Sequence, residues 1–176
     1  MREFKTLNPR NLPDGFDLHT HTEEPIVEIK ESTGRITINL VFPGFYLVAD
    51  EQEISGKKTG HKQAHIKSTG FLAESGKPLL PSFGRYVQIP HHCDYGVSIQ
   101  KAQPVSFDNV VVSPAQTRLS DNPNQKHEFE YDKDFYAKDA FYPEEIVKVT
   151  GPFSIDNHRV LLVHVTPLQH NPVKKK

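Results

Sequence analysis

Short runs of alternating apolar and polar residues, each bounded by a glycine or a proline, limit this chain to folds built from strands. The run RITINLVF over residues 35–42 places Ile36, Ile38 and Leu40 on one side of an extended strand. The run PIVEIKES lies just before it, and a Thr-Gly pair separates the two runs. This spacing predicts a β-hairpin with its turn at Gly34.

Runs of this kind recur along the chain, and no stretch of twelve residues has the pattern of an amphipathic helix. Val97, Ile99 and the three valines at 110–112 predict further strands, while FLAES at 71–75 allows one helical turn at most. The 14 prolines and 10 glycines fit short strands joined by turns. The pattern predicts an all-β protein, an antiparallel β-sandwich or barrel.

The length of 176 residues suits one domain with its own core. We expect a polar leader or edge segment over residues 1–24, a β-sandwich over residues 25–173 and a basic tail over residues 174–176. Residues 113–140 are polar and lack clean periodicity, which predicts a long loop. Because long loops in compact domains are usually functional or disordered, this loop is the first candidate for a functional site.

Charge and composition exclude several classes of protein. The formal net charge of -1 gives no reason to expect a nucleic-acid partner. No apolar run approaches the roughly 20 residues that a membrane-spanning helix needs, and no signal peptide is visible at the N-terminus. The single cysteine, Cys93, excludes a disulfide within the chain.

Ten histidines raise the question of a metal site or a catalytic pair. His19 and His21 fall on one side of an extended chain, as do His91 and Cys93, but a closed zinc site needs four ligands. His92 points away from Cys93 in a strand, so these two do not form a nucleophilic pair. No phosphate-binding loop and no Gly-x-Ser-x-Gly motif occurs. We therefore expect no catalytic residue, no metal and no cofactor in this chain.

Two other functions are compatible with a β-sandwich. A metal-dependent enzyme of cupin-like shape would need two or three histidines that face into a barrel. A carbohydrate- or surface-binding module would stack aromatic rings on sugars. The aromatic candidates for such stacking are Tyr86, Tyr95, Phe129, Tyr131, Phe135 and Tyr136.

Three segments, in order, resemble the prodomains of gingipain-family, caspase-like cysteine peptidases. SGKPLLPSFGRYVQIP over residues 75–90 is similar to that family's Gly-x-Pro-x-Leu-Pro segment and the strand that follows it. VVVSPAQ over residues 110–116 looks like the strand that leads into the family's long loop. Residues 140–173, which begin AFYPEE and end PLQHNPV, are similar to its closing hairpin. The residues that carry the match are Gly76, Pro78, Leu80, Pro81, Pro143, Pro167, Asn171 and Pro172.

This resemblance implies a β-sandwich of jelly-roll type with one long functional loop, placed N-terminal to a catalytic domain. It implies a prodomain of a secreted or cell-surface cysteine peptidase, which acts as an intramolecular chaperone and keeps the zymogen latent. The implied partner is the catalytic domain of its own or a cognate peptidase. The family's catalytic cysteine and histidine belong to that partner and not to this chain.

The resemblance also gives the prolines and one histidine a place. Pro78 and Pro81 fix φ and remove donors on the way into a strand, and we expect them to protect a sheet edge. Pro90 ends the strand after Ile89. His170 stands where the family usually has tyrosine, and we expect this difference to lie at an edge of the fold.

Finally, the resemblance implies how latency is maintained. The family's long loop carries an arginine that occupies an acidic specificity pocket of the peptidase. Arg118, followed by Leu119, lies near the corresponding position. Lys126, Lys133 and Lys138 are the alternatives if the peptidase prefers lysine.

Overall fold

The computed structural model shows a chain built almost entirely from strands. Its described part contains eleven strands and one short helix, and every ladder between two of these strands is antiparallel. In the same part, no helix has the length and apolar character needed to cross a membrane. The described residues are 2–7, 24–50, 53–54, 57–58, 60–100, 104–116 and 129–176. The elements are β1 (Arg2–Thr6), β2 (Ile26–Ser32), β3 (Arg35–Val41), β4 (Gly44–Ala49), β5 (Glu53–Ile54), β6 (Lys57–Lys58), β7 (Lys62–His65), β8 (Gly70–Leu72), β9 (Leu80–Ile89), α1 (Lys133–Tyr136), β10 (Val147–Ile155) and β11 (His158–Val165).

The strands are arranged in two larger sheets and two hairpins. One sheet has three strands in the order β1-β4-β7, and the other has four in the order β10-β11-β9-β8. The β2–β3 and β5–β6 hairpins are separate two-stranded units. The predicted antiparallel all-β structure is thus confirmed, and so is the hairpin around Gly34, which has φ of +71°. Strand β1 comes from the segment expected to be a leader or an edge, and it lies at the edge of its sheet.

Apolar side chains from both larger sheets meet in one core. Phe45 and Leu47 of β4, Ala64 of β7 and Leu80 of β9 are all at most 4% exposed. Val112, which makes a single bridge to the start of β7, joins the same cluster. Because full burial of a leucine or phenylalanine stabilises by about 1.5–3 kcal/mol, this cluster is the main link between the sheets.

The β2–β3 hairpin leaves much of its apolar face uncovered. Ile29 is 42% exposed and Ile36 is 39% exposed. An open cleft of about 1740 Å³ is lined by this hairpin and by side chains of the four-stranded sheet, among them Val87 and Leu161. The apolar face that the alternation predicted is therefore present, but it borders a cleft and is not packed into the core.

Two expectations around the start of β9 are wrong. Residues 71–75 do not form a helical turn, because Gly70–Leu72 is a strand in which Phe71 pairs with Pro81. Pro81 does not protect a sheet edge, because β9 has a neighbouring strand on each side. It precedes Phe83, the first residue of β9 that is paired with β11, so its missing N–H is not taken from that ladder.

The valine-rich segments after β9 also differ from the prediction. Strand β9 ends at Ile89, before Pro90, as expected. Val97 and Ile99, however, lie in no strand and are 52% and 46% exposed. Of the valines at 110–112, only Val112 makes a bridge to another segment. Alternation indicates an extended chain, but it does not supply the neighbouring strand that a sheet requires.

The C-terminal part of the described chain folds back onto the core around His170, which is 1% exposed. Its Nε2 accepts a hydrogen bond from the Val112 N–H at 3.3 Å, and its Nδ1 donates to the Lys176 main-chain oxygen at 2.9 Å. Its backbone exchanges two hydrogen bonds with Tyr142. The expected edge position of His170 is therefore wrong, because the imidazole bridges a core segment and the returning chain. Burial, with a smaller contribution from His61, lowers the pKa of His170 to about 4.

We predict that acid destabilises the protein through His170. The folded chain holds this side chain with a pKa of about 4, whereas a histidine in the unfolded chain titrates near 6.5. The unfolded state therefore binds the proton first. Stability that is fully present above about pH 6.5 is lost as the pH falls toward about 4, by up to about 3 kcal/mol.

Urea unfolding of the wild type and of His170→Gln across this pH range checks the prediction. The carboxylates of the chain are common to both proteins, so their contribution cancels in the difference. The wild type should lose stability more steeply than the variant, and parallel profiles would contradict the prediction.

Candidate functional site

The segment that begins at Gly76 holds both ends of the predicted long loop. The Gly76 N–H donates to the Ala115 carbonyl at 2.9 Å, and the Gly76 carbonyl accepts from the Asp132 N–H at 3.1 Å. Ala115 lies in the chain that enters the loop, and Asp132 lies in the chain that leaves it. One residue therefore joins the two ends at the same place on the domain.

Glycine is required at position 76 for two separate reasons. Its φ is +74°, in the left-handed region that other residues rarely adopt. A Cβ on this residue would also lie 2.9 Å from the Asp132 backbone nitrogen. The loop ends can approach the Gly76 backbone this closely only because no side chain is present.

The chain that enters the loop is held between β7 and the residues that follow Gly76. The Leu79 N–H donates to the Ser113 carbonyl at 2.9 Å, and the Ala115 N–H donates to the Lys77 carbonyl at 2.7 Å. On the other side, Lys62 of β7 exchanges two hydrogen bonds with the same stretch, at 2.8 and 2.9 Å. These bonds fix the entering chain in an extended form.

One step further along the loop, side chains close the two ends. The Gln116 Nε2 donates to the Glu130 carbonyl at 2.9 Å, and the Glu130 N–H donates to the Gln116 Oε1 at 3.0 Å. The Ser75 hydroxyl donates to the Glu130 carboxylate. Sequence analysis singled out neither Gln116 nor Ser75, since no local pattern marks a contact between residues this far apart in the chain.

After the loop, the chain is fixed by a capped helix turn and a buried tyrosine. Asp132 caps α1, and its Oδ1 accepts from the Phe135 N–H at 2.9 Å. The Tyr136 hydroxyl donates to the Val112 carbonyl at 2.8 Å, and its ring stacks on Tyr131 with a centroid distance of 4.5 Å. Burial, with a smaller contribution from Tyr131, raises the pKa of Tyr136, which keeps its hydroxyl protonated as a donor.

Comparison with known families places this chain. The family model Propeptide_C25 matches residues 19–176. The chain belongs to the Propeptide_C25 family. It is a propeptide domain of the gingipain type, which is a non-catalytic part of a zymogen, and the resemblance seen in its sequence is confirmed.

Curated relatives of this propeptide domain include two gingipains of Porphyromonas gingivalis. Gingipain R1 is 30% identical over 105 residues, which cover 59% of this chain and 10% of the relative. Gingipain R2 is 29% identical over 106 residues, which cover 59% of this chain and 14% of the relative. The chain therefore spans only a small part of the length of these relatives.

Solved structures support the same fold. A chain from a structure of gingipain K of Porphyromonas gingivalis, concerned with its zymogenic latency, matches with a TM-score of 0.74 at 16% identity. The match covers 99% of this chain and 90% of that one. A chain from the complex of the Porphyromonas gingivalis RgpB pro- and mature domains matches with a TM-score of 0.62 at 23% identity, over 74% of this chain and 67% of that one.

The predicted pocket residues of this propeptide domain fall into two groups. Arg118, Leu119 and Lys126 lie outside the described residues, so their role stays a prediction. Lys133 is the first residue of α1 and Lys138 follows that helix, and both are exposed. The structure thus separates the two lysines on folded chain from the candidates between the loop ends.

The family-motif residues near the C-terminus lie around Asn171, which is 1% exposed. Its Nδ2 donates to the Asp139 Oδ1 at 2.7 Å, and its Oδ1 accepts from the Lys174 N–H at 3.0 Å. Asn171 therefore ties the returning chain to the segment that follows α1. Of the other motif residues, Gly76, Pro78, Leu80, Pro81 and Pro172 are buried, while Pro143 and Pro167 are partly buried.

The aromatic rings after the loop mostly face one another. Tyr131 stacks on Tyr136, and Phe135 meets Tyr142 edge to face with a centroid distance of 5.2 Å. These faces are therefore occupied by other side chains and not available to a sugar. Tyr86 is the most exposed of the aromatic candidates, at 59%.

Metal-binding and nucleophilic chemistry find little support in the described part of the propeptide domain. No group of three or more His, Cys, Asp or Glu side chains is arranged there to hold a metal ion. Cys93 is half-buried, with its Sγ 3.4 Å from the Pro90 carbonyl. The Arg159 guanidinium donates to the carbonyls of Pro90, His91 and Cys93 at 3.2, 3.2 and 2.7 Å, so this turn has a structural explanation.

We predict that Gly76→Ala destabilises the domain more than Gly34→Ala does. Both glycines have positive φ, so both substitutions carry a backbone cost of about 1–2 kcal/mol. Only at Gly76 does the added Cβ meet another backbone, since nothing lies within 4 Å of a Cβ at Gly34. We expect an additional loss of about 1–2 kcal/mol at Gly76.

Chemical unfolding of the two variants beside the wild type measures this difference. Equal losses at the two positions would show that the contact with Asp132 is relieved without cost.

Proposed function

We propose that this propeptide domain keeps its peptidase latent by placing the loop between Gln116 and Glu130 in the catalytic cleft. The observation that supports this is the anchoring of both loop ends at Gly76. A segment whose two ends are fixed side by side projects as a loop from a single point of the domain. Such a segment can enter a cleft while the sheets stay outside it.

The partner in this proposal is the catalytic domain of the same or a cognate cysteine peptidase. Support comes from membership of the Propeptide_C25 family and from the fold shared with a chain of the RgpB pro- and mature-domain complex. We extend the zymogenic latency described for gingipain K to this chain on the same grounds. The domain also acts, in this proposal, as an intramolecular chaperone of its catalytic domain.

Two further features belong to the same proposal. The larger sheets form a β-sandwich of jelly-roll type, which is supported by the core that they share. The zymogen is secreted or held at the cell surface, which is supported by its similarity to gingipains.

Arg118, with Leu119 beside it, is the side chain that we assign to the specificity pocket. It lies between the anchored ends, only two residues after Gln116. A guanidinium group pairs with a pocket carboxylate through two parallel hydrogen bonds, which a lysine cannot reproduce. Lys126 lies between the same ends and is the first alternative, followed by Lys133 and Lys138 on the folded chain.

We predict that the purified domain inhibits the catalytic domain of gingipain R1 and that Arg118→Ala weakens this inhibition at least tenfold. Loss of a desolvated guanidinium–carboxylate pair costs about 2–4 kcal/mol of binding, since the pocket carboxylate is left unpaired. The inhibition constant, measured with a small chromogenic substrate, checks the prediction.

Lys126→Ala, Lys133→Ala and Lys138→Ala are the matched controls, because each removes one cation from the same region. A loss confined to one of these lysine variants would move the pocket role to that residue. The absence of inhibition by the wild type at any concentration would overturn the proposed function.

A further inference from the structure

The contact between Gln116 and Glu130 has the geometry of a strand pair, although one partner is a side chain. A carboxamide presents a donor and an acceptor side by side, as a backbone peptide does. Gln116 uses both toward Glu130, at 2.9 and 3.0 Å, in the reciprocal pattern by which opposed residues of antiparallel strands bond. The Gln116 Nε2 also lies 3.2 Å from the Pro114 carbonyl and 3.3 Å from the Ala115 carbonyl, which keeps the side chain folded back over its own backbone.

This contact is the outer of two successive links between the loop ends. The inner link runs through the buried Gly76, whose backbone bonds Ala115 and Asp132. The outer link joins Gln116 and Glu130, and Gln116 is exposed. The inner link is part of the packed domain, whereas the outer link lies where the loop departs.

We propose that Gln116 is a positioning residue for the loop, and that its carboxamide fixes the spacing and direction of the loop ends. This inference rests on the proposed function, because its purpose is to present the pocket side chain. Fixing the ends before binding removes part of the ordering cost that a free loop would meet in the cleft. Arg118 follows only two residues later, a reach of about 7 Å, so its placement depends closely on this contact.

Two substitutions remove the contact in different ways. Gln116→Met keeps the length of the side chain and removes both donor and acceptor. Gln116→Glu keeps the shape and an acceptor but cannot donate to the Glu130 carbonyl when ionised. Gln169→Met is the matched control, because Gln169 is also an exposed glutamine whose Nε2 donates to a backbone carbonyl, that of Pro143, at 2.7 Å.

The first measurement is the inhibition constant against the gingipain R1 catalytic domain, paired with the thermal midpoint of each protein. We expect Gln116→Met and Gln116→Glu to raise the inhibition constant by about three- to tenfold, while their midpoints stay within about 2 °C of the wild type. Gln169→Met should leave the inhibition constant unchanged. If the wild type inhibits and both Gln116 variants inhibit equally well, the positioning role is overturned.

The second measurement does not depend on any peptidase. Amide hydrogen exchange at Glu130 reports the link directly, because this N–H donates to the Gln116 Oε1. In Gln116→Met it should exchange at least about tenfold faster, while the Asp132 N–H, held by Gly76, keeps its rate. Unchanged exchange at Glu130 overturns the inference. If the wild type fails to inhibit, the proposed function fails, and exchange at Glu130 still decides whether Gln116 sets the loop ends.

Discussion

Three stretches of chain that are distant in sequence meet at the backbone of Gly76, and the candidate site depends on that meeting. Its N–H and carbonyl bond the chain that enters the predicted loop and the chain that leaves it. Bringing two ends of a flexible segment together costs entropy that grows only slowly with its length. A fixed backbone anchor can therefore serve loops of different length and content. The cost is borne at one position, where a positive φ and a close approach both demand glycine.

Val112 shows how the fold supports the entering chain on the side where no strand is present. In an extended segment, successive residues direct their backbone groups to opposite sides. The residues before and after Val112 bond Lys62 of β7, while Val112 points the other way. There its N–H donates to the His170 imidazole and its carbonyl accepts from the Tyr136 hydroxyl. Two buried side chains thus take the place of a neighbouring strand, which explains why the imidazole is held neutral.

The parts of the structure that could be predicted from the sequence are those that depend on neighbouring residues. The β2–β3 hairpin follows from alternation and a Thr-Gly turn, and the end of β9 follows from Pro90. The parts that could not be predicted depend on distant partners. Val97 and Ile99 alternate like strand residues but meet no strand, and His170 has nothing in its local sequence that marks it as buried. The same limit applies to the candidate site: Gly76 was recognised through its motif, whereas the contact of Gln116 with Glu130 spans fourteen residues.

The division between a backbone anchor and a side-chain link also fits the divergence within this fold. The gingipain K chain superposes on 99% of this one although only 16% of the residues are identical. Backbone hydrogen bonds survive such divergence because they require a conformation and not a particular side chain, except where a glycine is needed. A side-chain link such as that of Gln116 is lost or gained by one substitution. An inhibitor built in this way can keep a constant scaffold while the exposed outer link and the loop beyond it change with the peptidase that they meet.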